Sequence, residues 1–267
     1  MPPNIAEPTV ETGDNVEDAN KRGNTTEETI ELQPPSTPTP FIGGTNHFSE
    51  KENTYVPKIL TTMNAIVHIL IGVIVVIVYV FVFKDGTSIG ATPMHIVLCV
   101  TGYQLLMAEA ILSLSPRNWW SLKLNLKQKR RTHWILQLSG SALAITGTFI
   151  KILDKTEHFN TIHGIFGLIA LVFTTVCLVN GCASLYAQEL RGILPGNVTK
   201  TLHVCFGTIT FCAACITLCF GLDKPFFRGW SDPLANVGIS FTAIMLLLLI
   251  ITPIATFKKK VNGLLRR

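Results

Sequence analysis

The sequence predicts an all-α membrane protein folded as a six-transmembrane-helix bundle. After Tyr55 the 267-residue chain contains six apolar stretches of about 22 residues each, and each can cross a hydrocarbon core of about 30 Å at a rise of about 1.5 Å per residue. Six such stretches cannot all be buried in a water-soluble core of this size, so a soluble globular domain is excluded. Most basic residues flank apolar stretches, so the net charge of +5 indicates membrane topology rather than a nucleic-acid partner.

The predicted spans divide the chain into three parts. A transmembrane domain covers residues 56–257, between an N-terminal tail of residues 1–55 and a basic C-terminal tail of residues 258–267. The connections between spans are short, which favours an up-and-down bundle of antiparallel neighbours. The spans are predicted at residues 59–83, 92–114, 133–154, 162–185, 201–222 and 234–257.

The N-terminal tail is predicted to be disordered. Ten of the seventeen acidic residues of the chain fall within its first 52 residues, and residues 34–40 are rich in proline. Such a segment has too few large apolar side chains to offset the entropy lost on ordering.

The distribution of Lys and Arg predicts the orientation, because positively charged loops stay on the cytoplasmic side. Seventeen of these residues lie on the side of the two tails and five on the opposite side. Both termini are therefore expected in the cytoplasm, with the lipid bilayer around the spans. An endomembrane, the endoplasmic reticulum or a vesicle, is the expected location, and the sequence leaves the plasma membrane and a homodimer open.

Four of the seven histidines begin four consecutive spans: His95, His133, His163 and His203. Because consecutive spans run in opposite directions, His95 and His163 share the outer side of the membrane, while His133 and His203 share the cytoplasmic side. Ionisable side chains within spans are costly and indicate function, so two facing pairs are predicted. The partial positive charge of a helix N-terminus disfavours the imidazolium, so all four rings are expected to be neutral and able to bind a metal.

A glycine follows each of these histidines by four or seven residues on the same helical face. These glycines are Gly102, Gly140, Gly167 and Gly207. They would let a flat macrocycle lie against each helix, although glycine also lets transmembrane helices approach closely. The sequence thus predicts two haems b, one near each face, each held by two imidazoles on four central helices. With both axial positions filled, the iron is closed to oxygen and suited to electron transfer.

At these residues the chain resembles the eukaryotic cytochrome b561 family, and within it the shorter transmembrane reductases that carry a cytochrome b561 domain. The resemblance covers roughly residues 60–257 and departs from the family pattern at Ile96, since proline usually follows the first ligand histidine. Besides the four histidines, its motifs are Met107-Ala108-Glu109-Ala110, Ser115-Pro116, His133-Trp134-Ile135-Leu136-Gln137-Leu138, Ile162-His163-Gly164-Ile165-Phe166-Gly167 and Leu202-His203.

The resemblance implies a transmembrane ascorbate ferrireductase or monodehydroascorbate reductase. Such an enzyme takes electrons from cytosolic ascorbate and passes them through two haems to monodehydroascorbate or ferric chelates on the far side. The resemblance also implies that Lys127 and Arg131, six and two residues before His133, contribute to the ascorbate site. A cationic rim would concentrate the ascorbate anion, although the same residues equally serve as topology signals.

Three further ionisable residues lie near the predicted haems. His158, in the short outer loop before the fourth span, is a candidate to contact the acceptor or carry a proton, and otherwise is a solvated loop histidine. Glu109, near the cytoplasmic haem, is expected to pair with Arg117 rather than take up protons. His68, inside the first span, is expected to be a hydrogen-bonded packing group.

The rival class is a non-redox multi-pass transporter or channel that uses intramembrane His and Glu for proton or ion transfer. Such a transporter or channel would be expected to have internal repeats or broken helices around a midplane site. The four paired histidines are instead predicted near the membrane faces. The first and sixth spans are assigned as scaffold.

Overall fold

The computed structural model describes residues 47–86, 90–186, 188–192 and 195–266. This part of the chain is helical and contains no strand. Six helical segments are long and apolar enough to cross a membrane, so the predicted all-α six-helix bundle is confirmed. The segments are Lys58–Phe83, Ala91–Ser113, Leu126–Asp154, Ile162–Leu185, Gly196–Leu222 and Asp232–Leu265.

The described residues form eight α-helices. They are α1 (His47–Phe83), α2 (Ala91–Cys99), α3 (Ala108–Ser113), α4 (Leu126–Asp154), α5 (Ile162–Leu185), α6 (Gly196–Leu222), α7 (Pro225–Arg228) and α8 (Asp232–Leu265). A π-helix, Val100–Met107, joins α2 to α3, and these three segments together make the second span. Short 3-10 turns occupy Trp119–Ser121 and Glu189–Gly192.

The first and last helices extend beyond the predicted spans. Because α1 begins at His47, the predicted boundary of the tail at residue 55 falls inside this helix. Residues 1–46 lie outside the described residues, so the disorder of the tail stays a prediction. The last helix, α8, continues to Leu265 and includes most of the predicted C-terminal tail.

Two central helices also begin earlier than their apolar stretches. Asn125 starts α4 with a capping box, in which its side chain accepts from the Gln128 amide and the Gln128 side chain accepts from the Asn125 amide, both at 2.9 Å. Helix α6 begins at Gly196. His133 and His203 are therefore each the eighth residue of a helix, beyond the first turn where the helix dipole acts. The expected N-terminal effect on these two rings is wrong, because hydropathy locates the apolar stretch and not the start of the helix.

Four spans form a closed ring. The second span packs against α4, α4 against α5, α5 against α6, and α6 against the π-helix of the second span. Chain neighbours are thus neighbours in space, as an up-and-down bundle requires. The helices that carry each predicted histidine pair, the second span with α5 and α4 with α6, lie diagonally across this ring. A diagonal placement keeps the paired backbones apart and leaves room between their side chains.

Helices α1 and α8 pack against each other and against the ring. Their contact is apolar, with Ile71 and Ile74 of α1, Phe211 of α6 and Met245 of α8 in one buried cluster. This packing fits the scaffold role expected for the first and sixth spans.

The π-helix changes which residues of the second span share a face. Its hydrogen bonds join residues i and i+5, so the turn is wider than in an α-helix and Gly102 is not in line with His95. A Cβ on Gly102 would lie 2.6 Å from the Gly140 carbonyl oxygen, and one on Gly140 would lie 2.9 Å from the Gly102 carbonyl oxygen. The two glycines therefore let the second span and α4 touch, and the expected clearance for a macrocycle at these two positions is wrong.

Candidate functional site

The structure brings the four predicted histidines together as two pairs. His95 faces His163 with ring centres 6.2 Å apart and ring planes at 83°. His133 faces His203 with ring centres 6.3 Å apart and ring planes at 86°. His95 lies near the start of the second span and His133 contacts Ala110 near its end, so the pairs lie at opposite ends of the ring.

The spacing within each pair suits a metal ion between the rings. Two metal–nitrogen bonds of about 2.0 Å, with about 1.1 Å from each nitrogen to its ring centre, separate the ring centres by about 6 Å. Within the described ranges, no group of three or more His, Cys, Asp or Glu side chains could hold a metal ion. A metal that brings its own equatorial ligands, as haem iron does, therefore fits a two-imidazole site better than a bare ion.

The Nδ1 atoms of three rings are hydrogen-bonded to the backbone of a neighbouring helix. The partners are the carbonyl oxygens of Gly147 for His95 (2.9 Å), Ala110 for His133 (2.8 Å) and Thr217 for His163 (2.8 Å). The Nδ1 atom of His203 lies 3.6 Å from Cys177 Sγ. A carbonyl oxygen can only accept, so in the first three rings Nδ1 carries the ring proton and Nε2 keeps its lone pair. This tautomer is the one that a metal ligand needs, and no pattern in the sequence indicates these acceptors.

Two glycines that sequence reasoning missed make room for the imidazoles. A Cβ on Gly221 of α6 would lie 3.2 Å from Cε1 of His163, and a Cβ on Gly181 of α5 would lie 3.2 Å from Cε1 of His203. Each of these glycines follows the histidine of its own helix by eighteen residues, which is five helical turns and returns to the same face. That repeated spacing is the signal that could have found them.

At the other two predicted glycines, Gly167 and Gly207, an added Cβ would make only ordinary van der Waals contacts. A Cβ on Gly167 would lie 3.6 Å from Thr217 Cγ2, and one on Gly207 would lie 3.5 Å from Cys177 Sγ. Gly167 also lines the cavity around His95 and His163. The clearance for a macrocycle at Gly167 and Gly207 stays a prediction.

A cavity of about 410 Å³ contains the His95–His163 pair. Its size is typical of a small-molecule or cofactor site. Apolar side chains make up most of its wall, together with the cations Lys151, Lys155 and Lys224. Glu157 also lines the cavity, and Lys151 pairs with Asp154 at 2.6 Å, so the apolar interior is combined with a small excess of positive charge.

His158 lines the same cavity as the His95–His163 pair. The ring is exposed, and its Nε2 donates to the carbonyl oxygen of Ile152 at 2.8 Å, so its Nδ1 is the nitrogen that can accept. The next residue, Phe159, has φ of 55°, a left-handed conformation that is strained for a side chain of this size. The loop thus holds His158 in the cavity wall.

Arg228 lies at the same end of the ring as the His95–His163 pair, and two carboxylates compensate its charge. Its guanidinium lies 2.5 Å from Asp232 and 2.6 Å from Asp223. These carboxylates raise the pKa of Arg228 above its ordinary value, chiefly through the hydrogen bond to Asp232. Arg228 therefore stabilises the loop between α6 and α8 and adds little attraction for an anion in the cavity.

The end that contains His133 and His203 is lined by cations from three helices. Lys127 and Arg131 lie one turn apart on α4, and both are exposed. Lys260 of α8 interacts electrostatically with Lys200 of α6 and Arg130 of α4. Arg130 and Lys200 each precede a paired histidine by three residues, which places them on the same helical face. Only the folded chain brings Lys260 to them.

Glu109 pairs with His68 and not with Arg117. The Nδ1 atom of His68 lies 2.6 Å from Glu109 Oε1, and Trp120 Nε1 donates to Glu109 Oε2 at 3.0 Å. The expected ion pair with Arg117 is therefore wrong, because the loop after α3 turns Trp120 toward the carboxylate while α1 presents His68 to it. His68 is confirmed as a hydrogen-bonded residue.

A ring of transmembrane helices with two opposed imidazole pairs is the arrangement that a membrane-embedded haem protein requires. The family model described as eukaryotic cytochrome b561 matches residues 94–228, half of the chain, and this range contains both pairs. The chain belongs to the eukaryotic cytochrome b561 family, and this membership implies b-type haem.

Relatives from three mammals bear the name transmembrane reductase CYB561D2. The chain is 28% identical to the Mus musculus protein over 155 residues, which are 57% of this chain and 68% of the relative. It is 25% identical to the Bos taurus protein over 201 residues, 74% of this chain and 87% of the relative. It is 30% identical to the Homo sapiens protein over 137 residues, 50% of this chain and 61% of the relative. Family and relatives together identify a multi-pass transmembrane reductase that transfers electrons.

Proposed function

We propose that this chain is an ascorbate-dependent transmembrane reductase that holds two haems b. Cytosolic ascorbate is the electron donor, and monodehydroascorbate or ferric chelates on the other side of the membrane are the acceptors. Electrons cross one at a time. The donor, the acceptors and the number of haems are the proposed part.

The observation that carries the proposal is the equal spacing of two imidazole pairs at opposite ends of the ring. His95 with His163, and His133 with His203, would each hold one haem iron between their Nε2 atoms. A haem with both axial positions filled supplies one-electron transfer without binding oxygen. The backbone hydrogen bonds at Nδ1 of His95, His133 and His163 orient these three rings and leave their Nε2 atoms unprotonated.

The cationic end near His133 and His203 is the proposed donor side. Ascorbate is an anion at neutral pH, and Lys127 and Arg131 are exposed cations at the start of α4. Arg130, Lys200 and Lys260 add to the same positive field. A positive field raises the local concentration of an anionic donor and speeds its encounter with the protein.

The cavity around His95 and His163 is the proposed acceptor side. His158 in its wall would hydrogen-bond the acceptor or deliver a proton to it. Lys155 in the same wall would attract anionic acceptors such as monodehydroascorbate or a ferric chelate, the alternative being that it only offsets the charge of Glu157.

The orientation and assembly are also proposed. The excess of Lys and Arg on the side of the tails supports cytoplasmic termini, and six spans place both termini on the same side. An endomembrane is the proposed location, with the plasma membrane as the alternative, and a homodimer is compatible with the lipid-facing surfaces of the bundle.

The rival function as a non-redox transporter or channel is disfavoured by membership of a haem-binding family. In addition, the paired histidines lie at the two ends of the ring rather than around one midplane site, which a transporter would require.

The test uses the purified full-length chain in detergent. We expect a reduced-minus-oxidised spectrum with paired b-type bands, two haems per chain, and reduction of these bands by ascorbate. A spectrum without b-type bands would reject haem binding. Bands that dithionite generates and ascorbate does not would reject the donor while leaving the reductase class intact.

A further inference from the structure

A partly buried polar cluster links α1 to the loop after α3, outside both histidine pairs. His68 uses both ring nitrogens in it, with Nδ1 2.6 Å from Glu109 Oε1 and Nε2 2.8 Å from Asn118 Oδ1. Trp120 Nε1 donates to the second oxygen of Glu109 at 3.0 Å. With Asn118 Oδ1 toward Nε2, the imidazole faces an acceptor at both nitrogens, and each nitrogen then donates. This amide orientation therefore corresponds to the protonated state of the site, an imidazolium paired with a carboxylate.

Asn118 can serve both protonation states of this imidazole. Its side chain is fully buried, and its Nδ2 has no hydrogen-bond partner while Oδ1 accepts from His68. Rotation of the amide would present Nδ2 as a donor to an unprotonated Nε2 of His68. One side chain thus stabilises either state, and the unpaired Nδ2 is the group that the rotation would satisfy.

The groups around His68 are compatible with reversible binding of a proton to its ring. Glu109 is the charged group in contact with His68, and Lys129 of α4 reaches the same loop but donates to the Ser115 carbonyl. From α8 the neighbouring core is apolar, with Met245 and Leu249. The side chains of His68 and Glu109 keep 17% and 21% of their accessible surface, so the cluster is not sealed within the bundle.

The cluster is connected to the His133–His203 end through the backbone. Glu109 is adjacent to Ala110, whose carbonyl oxygen accepts from His133 Nδ1 at 2.8 Å. A charge change at Glu109 or His68 therefore acts close to the hydrogen bond that orients His133. An electron added at that end would in turn strengthen proton binding at the cluster, because opposite charges attract strongly where the dielectric constant is low.

We propose that His68 and Glu109 form a proton-binding site linked to electron transfer at the His133–His203 end. When one electron arrives there, Nε2 of His68 binds one proton from water, so the net charge of this end is unchanged. When the electron moves on, the same proton returns to water. The proposal rests on the proposed haem held by His133 and His203.

The test is a redox titration of the purified full-length protein, followed by its absorbance between about pH 5.5 and 8.5. In the wild type, we expect the equilibrium constant for reduction of one of the two components to fall by up to tenfold per pH unit, which is about 59 mV for one electron. The other component should change much less. His68→Gln should abolish this dependence. Glu109→Gln should move it to lower pH, since the imidazolium loses its carboxylate.

Asn118→Asp should shift the pH dependence in the direction opposite to that of Glu109→Gln. A carboxylate facing Nε2 would stabilise the imidazolium, so the pH dependence should move to higher pH. The matched control is Asp85→Asn, which removes an exposed carboxylate elsewhere and should leave the dependence unchanged. A second readout is the reduced-minus-oxidised infrared difference spectrum, in which His68 and Glu109 bands should be lost in the respective variants.

Two results would overturn the proposal. One is a wild-type protein in which both components titrate independently of pH, a result that does not depend on any variant folding. The other is a pH dependence that persists unchanged in both His68→Gln and Glu109→Gln. Absence of b-type bands in the wild type would instead reject the proposed haem function, so the two failures are distinguishable.

Discussion

The His95–His163 pair and the His133–His203 pair share their internal geometry. Ring centres are 6.2 Å apart in the first and 6.3 Å apart in the second, and both pairs have nearly perpendicular ring planes. Both pairs join helices that are diagonal across the ring, and in both one imidazole lies against a glycine of a neighbouring helix. These common features are the ones that would suit a metal between two rings.

The surroundings of the two pairs differ. The His95–His163 pair opens into a cavity that also contains His158 and three lysines. The His133–His203 pair lies two turns inside its helices, beneath cations from three helices and beside the His68–Glu109 cluster. In the proposed function, the ring of helices would determine how a metal is held, while loops and helix ends would determine what reaches it. Changes at the two ends should therefore have separable effects.

The largest expected effect comes from removing one ligand at a time. We expect His163→Ala to abolish the spectroscopic component of its own pair and His203→Ala to abolish the other, each leaving about half of the haem per chain. The measurement is haem content with a reduced-minus-oxidised spectrum. His158→Ala is the control and should retain both components. Loss of both components from either single change would contradict independent sites.

A smaller effect is expected from crowding one imidazole while keeping it. Gly221→Ala places a methyl group 3.2 Å from His163 Cε1, and Gly181→Ala does the same to His203. Overpacking of this kind costs about 1–3 kcal/mol, so each change should weaken haem retention or shift the bands of its own pair. Gly72→Ala is the control, because a Cβ there meets nothing within 4 Å. Equal effects of Gly221→Ala and Gly181→Ala on both spectroscopic components would argue against two separate haem sites.

Binding of ascorbate should respond only to substitutions at the end of the ring that contains His133 and His203. Replacing both Lys127 and Arg131 by Gln should raise the ascorbate concentration for half-maximal reduction by about tenfold and flatten its salt dependence, because the local positive field is weakened. The measurement is the initial rate of haem reduction at several ionic strengths. Lys123→Gln, in the loop just before α4, is the matched control and should behave like the wild type. An unchanged half-maximal concentration would identify the two residues as topology signals.

The smallest effect is expected at the acceptor end. His158→Ala should slow the oxidation of reduced protein by ferric chelate or monodehydroascorbate about threefold to tenfold, since one positioned hydrogen bond or proton donor is lost. Reduction by ascorbate, measured in the same preparation, should be unaffected. A parallel loss of both rates would mean that the variant disturbs the bundle rather than the acceptor.

The sequence by itself determined the spans and the pairing of the histidines. Hydropathy fixes the number of spans because the hydrocarbon core has a fixed thickness. Alternating direction then fixes which histidines share an end, since consecutive spans must cross in opposite senses. Neither step needs knowledge of how the helices are rotated.

Only the tertiary structure decided which groups these side chains and glycines contact. The carbonyl acceptors of three of the four rings, the pairing of Glu109 with His68, and the contact between Gly102 and Gly140 depend on helix rotation, loop path and the π-helix. These features follow from packing between segments distant in the chain, and hydropathy carries no information about rotation. The eighteen-residue spacing of Gly181 and Gly221 was visible in the sequence, but its meaning required α5 and α6 to be seen side by side.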